Sequence, residues 1–337
     1  MSLHEILTLP FMQRALIAAV FIGLAAPAVG TYLVQRRLAL MGDGIGHVAV
    51  TGVALGLLTG TSPTWTAVVV AVLGAVAIEV IRERGITNGD VALALLFYGG
   101  LAGGVLVAGL AGSGAATLQS YLFGSITTID VTDVVVTMVL AAIVVLTCVG
   151  LAPQLFAVAQ DQDFARVAGL RVRAYNILIA VLAAVSVTVA MRTVGLLLVS
   201  ALMVVPVATA QQLTRSFRTT LTAAMALGVT ASLGGLLVAA FAPPGADVMP
   251  GPTIVLLALA GFVVTWPIGA WLRRRQRLTA PFPADAGVPP LDHVDTEAHP
   301  HDHGPDCGHV AVRHGDHVDY VHGAHRHAAH GEHYDEH

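Results

Sequence analysis

Through residue 272 the chain is written in apolar blocks of about twenty residues, separated by short polar or glycine-proline breaks. A helix needs roughly 20 apolar residues to cross the hydrocarbon of a bilayer. The stretches 11–33, 40–60, 63–81, 91–111, 131–151, 174–191, 194–212, 220–242 and 252–272 each meet that length. Backbone groups in lipid must be satisfied internally, so a spanning chain is a helix bundle or a closed barrel. Unbroken apolar runs, rather than ten-residue alternations, select helices. The expected fold is therefore an all-α polytopic membrane bundle of nine helices, or eight if the short turn at 192–193 misleads.

Polar positions add an orientation. Arg36 and Arg37, Arg82 and Arg84, Arg166 with Arg171 and Arg173, Arg215 and Arg218, and Arg273 to Arg277 fall on alternate connections, with only Arg14 and Arg192 straying. By the positive-inside rule the N-terminus faces outward and the C-terminus the cytoplasm. Composition agrees with a membrane solvent: 55% of the residues are hydrophobic and 11% charged. Met1 to Pro10 contains Glu5 and lacks a basic leader region and a small-residue cleavage site, so the first apolar run is expected to stay as a span. Cys148 and Cys307 lie in settings too different to suggest a disulfide.

Asp43 and His47 interrupt the second apolar run. A carboxylate at a helix centre in the membrane costs about 2.5–3.5 kcal/mol on insertion scales, so such a residue calls for a reason. Four residues apart, the two side chains share one helix face and can share one divalent cation. Two donors are too few for a closed zinc site, and a homodimer with its two-fold axis beside this helix would supply two Asp and two His. The neighbouring Gly42, Gly44, Gly46 and Gly52 permit close helix approach or an unwound backbone. The alternative is that Asp43 caps the helix and His47 is a packing residue. A phosphate loop is excluded by the absence of a preceding strand. Glu79, one turn before Arg82, reads as a structural partner, and Pro206 as a gating or packing kink.

After residue 278 the composition changes. The segment 279–337 is first proline-rich and then rich in His, Asp and Gly, with 13 of the 15 histidines from His293 onward. It is expected to be disordered and to bind transition metals. His299, His301 and His303 form one group, His322, His325 and His327 another, and Cys307 with His309 adds a soft ligand. Their irregular spacing, interspersed with Asp, is unlike an engineered tag. Imidazole donors lean to zinc over manganese.

The order of these landmarks resembles the integral membrane permease family of zinc and manganese ABC importers, over about residues 11–272. Met41-Gly-Asp-Gly-Ile-Gly-His-Val-Ala-Val-Thr-Gly-Val-Ala is similar to the family's Met-Gly-Asp-Ala-x-Ser-His-x-x-x-Pro-Gly-x-Ala, with Gly44, Gly46 and Thr51 departing from its Ala, Ser and Pro. Asp90 at the fourth span, Tyr121-Leu-Phe-Gly124, the 194–206 stretch ending in Pro206, and Gly251-Pro-Thr-Ile-Val255 follow in order. Asp161-Gln-Asp-Phe-Ala-Arg-Val-Ala-Gly-Leu170 matches a cytoplasmic Asp-x-x-x-Ala-x-x-x-Gly element.

The resemblance implies a homodimeric permease in a bacterial inner membrane, served by two ATPase subunits and an extracytoplasmic metal-binding protein, with no nucleic-acid partner. The 161–170 element, with Asp161, Phe164, Ala165 and Gly169, would couple to the ATPase. Asp43 and His47 would be transport ligands. The chain has no phosphate loop, so it is expected to be a transport subunit and not an enzyme, with no resident cofactor and a divalent cargo, zinc foremost and manganese or iron as alternatives. A proton-coupled secondary transporter would need a second intramembrane ligand pair, which the sequence does not offer. An intramembrane metalloprotease would need His-Glu-x-x-His, and His4-Glu5 is followed by Thr8.

Overall fold

The computed structural model describes residues 9–85, 89–112, 121–122, 124, 130–191, 195–243, 248–279, 294–295, 306–314, 317–322, 325–330 and 333–336. The chain separates into two compact units, Met1–Trp266 and Pro267–His337.

The helices, in order, are α1 Pro10–Gln35, α2 Met41–Thr59, α3 Pro63–Glu83, α4 Gly89–Leu110, α5 Val131–Gly150, α6 Ala152–Gln160, α7 Gln162–Val167, α8 Val172–Met191, α9 Leu196–Leu213, α10 Phe217–Ala240 and α11 Pro250–Thr279. A helix lies at each of the nine expected spans. Among the described residues eight are long and apolar enough to cross a membrane, while α9 is apolar over the shorter Val199–Leu213. The chain is thus a polytopic membrane helix bundle. Of Tyr121-Leu-Phe-Gly124, the residues Tyr121, Leu122 and Gly124 lie within the described residues.

Helix ends follow local chemistry. Pro10 opens α1 and Pro63 opens α3, where a missing N–H costs nothing. Gly60, at φ 68°, closes α2 in the left-handed region that glycine enters freely. Ser216 and Thr219 form a capping box at the start of α10.

Between membrane helices there is no hydrophobic drive, because lipid is as apolar as the side chains, so close packing must hold them together. α1 is the hub. Ala18, Ala26 and Ala28 are fully buried along it, and Ile22, Val29, Tyr32 and Leu33 nearly so. It packs on α10, α5, α9 and α8. A Cβ on Gly30 would run into the Met203 carbonyl of α9, so the two backbones touch there. The Tyr32 hydroxyl donates to the Cys148 carbonyl at 2.6 Å, satisfying a buried polar tip and tying α1 to the end of α5. By contrast α4 and α11 present exposed Leu95, Val105, Leu106, Leu256, Val263 and Val264, a surface suited to lipid.

At the end of α3, Glu79 is buried between two guanidinium groups. Arg36 Nη2 donates to its Oε1 at 3.0 Å and Arg82 Nη1 to its Oε2 at 2.8 Å. Glu79 is therefore the structural residue expected, with Arg36 as a second partner that sequence distance concealed. Desolvation lowers the Arg36 pKa from its ordinary value, with Glu79 acting in the opposite sense.

In the second unit, expected to lack regular structure, the described residues pair as strands β1 Val294–Asp295, β2 Val310–His314, β3 His317–His322, β4 His325–His330 and β5 His333–Glu336. The sheet is antiparallel in the order β1-β5-β4-β3-β2. The reason is a pattern hidden by the His content. His-Gly-x-His recurs at 314–317, 322–325 and 330–333, a two-residue Gly-x spacer every eight residues between segments of strand length. Asp319 is buried in this sheet, with Arg326 Nη1 at 3.3 Å from its Oδ2.

Candidate metal pathway and coupling element

Asp43 stands in the first turn of α2, where the helix dipole favours a carboxylate. His47 follows one turn on. The side chain of His47 is 7% exposed and that of Asp43 31%, so the pair is closed at the imidazole and open at the carboxylate. His47 Nε2 lies 3.9 Å from Asp43 Oδ1, too far for a hydrogen bond. An ion between them, at metal–ligand distances of about 2.1 Å, reaches both.

The imidazole is held by packing instead of hydrogen bonds. Its ring meets the Phe97 ring edge-on, at a centroid separation of 4.2 Å and an interplanar angle of 68°. Nδ1 is buried and has no hydrogen-bond partner among the described residues. An unsatisfied buried polar atom costs about 1–3 kcal/mol. A His that serves only as a packing residue would be expected to avoid that cost by bonding a neighbour; here Nε2, the nitrogen on the Asp43 side, stays available to a ligand.

α4 makes this environment. A Cβ on Gly100 would lie 2.6 Å from Val48 N and 2.7 Å from the His47 carbonyl carbon, so only glycine lets α4 lie against α2 at this level. The Thr51 hydroxyl donates to the Gly100 carbonyl at 2.7 Å. The departure from proline at position 51 thus supplies an interhelical hydrogen bond. Gly42 and Gly46 are packing positions: a Cβ on Gly42 would meet Met203 Sδ at 3.1 Å, and one on Gly46 would meet Leu196 Cδ1 at 2.6 Å. Pro206 is inside α9 and lines an apolar groove with Thr209, Leu227 and Val264.

Sequence reasoning found Asp43 and His47 but missed Phe97 and Gly100. The adjacent glycines Gly99 and Gly100 in an apolar span were the available signal. The face carrying His47 and Thr51 is covered by α4, so the expected two-fold contact along α2 is open only at the Asp43 end. Among the described residues no three His, Cys, Asp or Glu side chains converge on an ion site. Within the described residues the chain brings these two donors to one face of α2.

The expected coupling segment, 161–170, holds the short helix α7, which follows α6. Asp161 Oδ1 accepts from Asp163 N at 2.9 Å and Phe164 N at 3.0 Å, capping α7. Ala165 is fully buried against Val158 and Val172, which seats the helix. Gly169, at φ 82°, turns the chain into α8. This geometry leaves Phe164 65% and Val167 89% exposed on the outer side. Two apolar side chains are thus held out on a seated, capped helix.

In the tail, His299, His301 and His303 lie outside the described residues. Cys307 and His309 fall in the turn before β2, His322 opposes His325 in register, and His327 is buried in β4 opposite Tyr320.

A polytopic bundle with a carboxylate and an imidazole on one face of a span, and a capped helix with exposed apolar side chains between two others, has the form of a membrane transport subunit. The model of the ABC 3 transport family matches residues 8–268. The chain belongs to that family, the integral membrane permeases of ABC importers, and is a permease subunit in place of an enzyme. It is 32% identical to the manganese import system permease protein ScaB of Streptococcus parasanguinis over 266 residues, 79% of this chain and 93% of that one. It is 27% identical to the high-affinity zinc uptake system membrane protein ZnuB of Haemophilus influenzae over 264 residues, covering 78% and 97%. Among solved structures, PsaBC from Streptococcus pneumoniae in complex with Fab matches with a TM-score of 0.71 at 31% identity, covering 81% of this chain and 98% of that one.

Proposed function

We propose that this permease carries a divalent transition metal across a bacterial inner membrane into the cytoplasm, driven by ATP hydrolysis on two partner subunits. The observation that carries the reading is the Asp43–His47 pair, a carboxylate and an imidazole with no hydrogen bond between them, in the first turns of a span. A second copy of the chain, approaching at the open Asp43 end, completes the ligand set with its own pair. An extracytoplasmic binding protein delivers the ion, which is held by few ligands and leaves because the site is incomplete. The exposed Phe164 and Val167 seat in the ATPase, so that its closure moves α7 and, through Ala165, α8.

The nitrogen donors favour zinc, as does the likeness to ZnuB. The likeness to ScaB and to other permeases named for manganese favours manganese. The cytoplasmic tail binds metal and adjusts its supply. In support, His314 and His317, His322 and His325, and His330 and His333 are cross-strand partners in the sheet.

Uptake of zinc, manganese and iron by a strain lacking its own importers tests this. Asp43→Ala and His47→Ala are each expected to abolish uptake of the cargo metal, and truncation after Arg277 to spare the uptake rate while changing how much metal the cell retains. Full uptake by the double variant removes the pathway reading. The metal whose uptake the chain restores decides between zinc and manganese.

A further inference from the structure

At the end of the bundle where α1 gives way to α2, a polar chamber of about 510 Å³ opens among Arg36, Arg37, Arg82, Gln35, Gln160 and Gln211. It lies at the same end as α6, since Gln35 hydrogen-bonds to Gln160. Its charge is unbalanced. Arg36 and Arg82 share the one carboxylate of Glu79, and Arg37 has no ion pair among the described residues, leaving a surplus of two positive charges.

Arg36 lies inside the protein and Arg82 is largely buried, while Arg37 is exposed at the rim. The Arg36 side chain is 3% exposed, and Arg36 Nη1 and Arg82 Nε are buried without hydrogen-bond partners. Buried guanidinium groups with spare donors are costly unless an anion completes them. Arg37 is held at φ 59°, in the left-handed region that non-glycine residues rarely enter. Glu83 is committed to Arg173.

We propose that this chamber binds a phosphate-bearing anion, either free phosphate or the headgroup of an anionic phospholipid. Guanidinium forks match phosphate oxygens in pairs, and the glutamine amides add neutral donors. The chamber exceeds a bare phosphate in size, leaving room for a substituent. Arg36 directly follows the α1 span and Arg82 lies in the last turn of α3, at the level where headgroups lie.

The test uses the full-length chain in nanodiscs. Inorganic phosphate is titrated by calorimetry in phosphatidylcholine discs, and phosphatidylglycerol retention is read by native mass spectrometry from mixed discs. Arg82→Gln removes surplus charge yet leaves the Arg36–Glu79 pair, and Arg37→Asn keeps a residue tolerant of the left-handed region. Saturable binding of either probe, weakened about tenfold in both variants, supports the site. Phosphate binding identifies the free anion as ligand, and binding of phosphatidylglycerol alone identifies the lipid. Absence of saturable binding of both probes, or binding unchanged in variants whose melting temperature matches the parent, overturns it.

Discussion

His47 is informative because of what surrounds it. Its ring is clamped by Phe97 and its Nδ1 is unbonded, so the protein fixes where the imidazole is without consuming its lone pair. Phe97→Ala should then weaken transport without removing a ligand. Loss of an aromatic pair costs about 0.5–1.5 kcal/mol, and the ring gains freedom. The expected result is a raised KM for metal uptake with the protein still present in the membrane at near-normal abundance. The same residues mark the limit of sequence reading. Asp43 and His47 were legible because their spacing of four is local to one helix. Phe97 was invisible because its role exists only once α4 lies across α2, and nothing in an apolar run states which neighbour it will touch. Glu79 was half legible: Arg82 sits three residues away, whereas Arg36 is supplied by another helix.

Elements were legible where length alone decides. Apolar blocks of the right size became α1 to α5, α8, α10 and α11, and the helices end near the expected prolines and glycines. α9 carries Pro206 within it and Gln211 and Gln212 in its last turn, features that block length alone does not report. In the tail, composition overrode pattern: a His-rich segment reads as unstructured, while the eight-residue Gly recurrence that divides it into strands went unused. The pairing of α2 with α4 rests on Gly100. Gly100→Val adds volume where the nearest atoms are backbone at 2.6–2.7 Å, so α4 must move away. Overpacking of this kind costs about 1–3 kcal/mol, and a lowered melting temperature in detergent together with lost uptake is expected. For α7, Phe164→Asp leaves the cap and the buried Ala165 intact. Co-purification of the ATPase should fall while permease abundance holds; undiminished co-purification would refute the docking role.

For the whole molecule, alternation of Arg-bearing connections argues for the proposed cytoplasmic placement of α6, α7 and the tail. Cys307 reports on this directly. Cys148 is buried in α5 and the chain has no other cysteine, so a membrane-impermeant maleimide should label the chain in inverted vesicles and not in intact cells. Labelling of intact cells would reverse the orientation and with it the direction of transport. The two ends of the proposed path thus belong to different kinds of structure: a carboxylate and an imidazole inside the bundle, and an exposed apolar helix face outside it.

The seat of Gly100 on the His47 backbone carries a last consequence. With Thr51 bonded to the Gly100 carbonyl and the imidazole beneath Phe97, α4 cannot slide along α2 without breaking contact at all three points together. The ligand is uncovered only if the two helices part sideways. Under the proposed pathway, release of the ion from His47 would require this helix pair to separate, which ties the transport cycle to that motion.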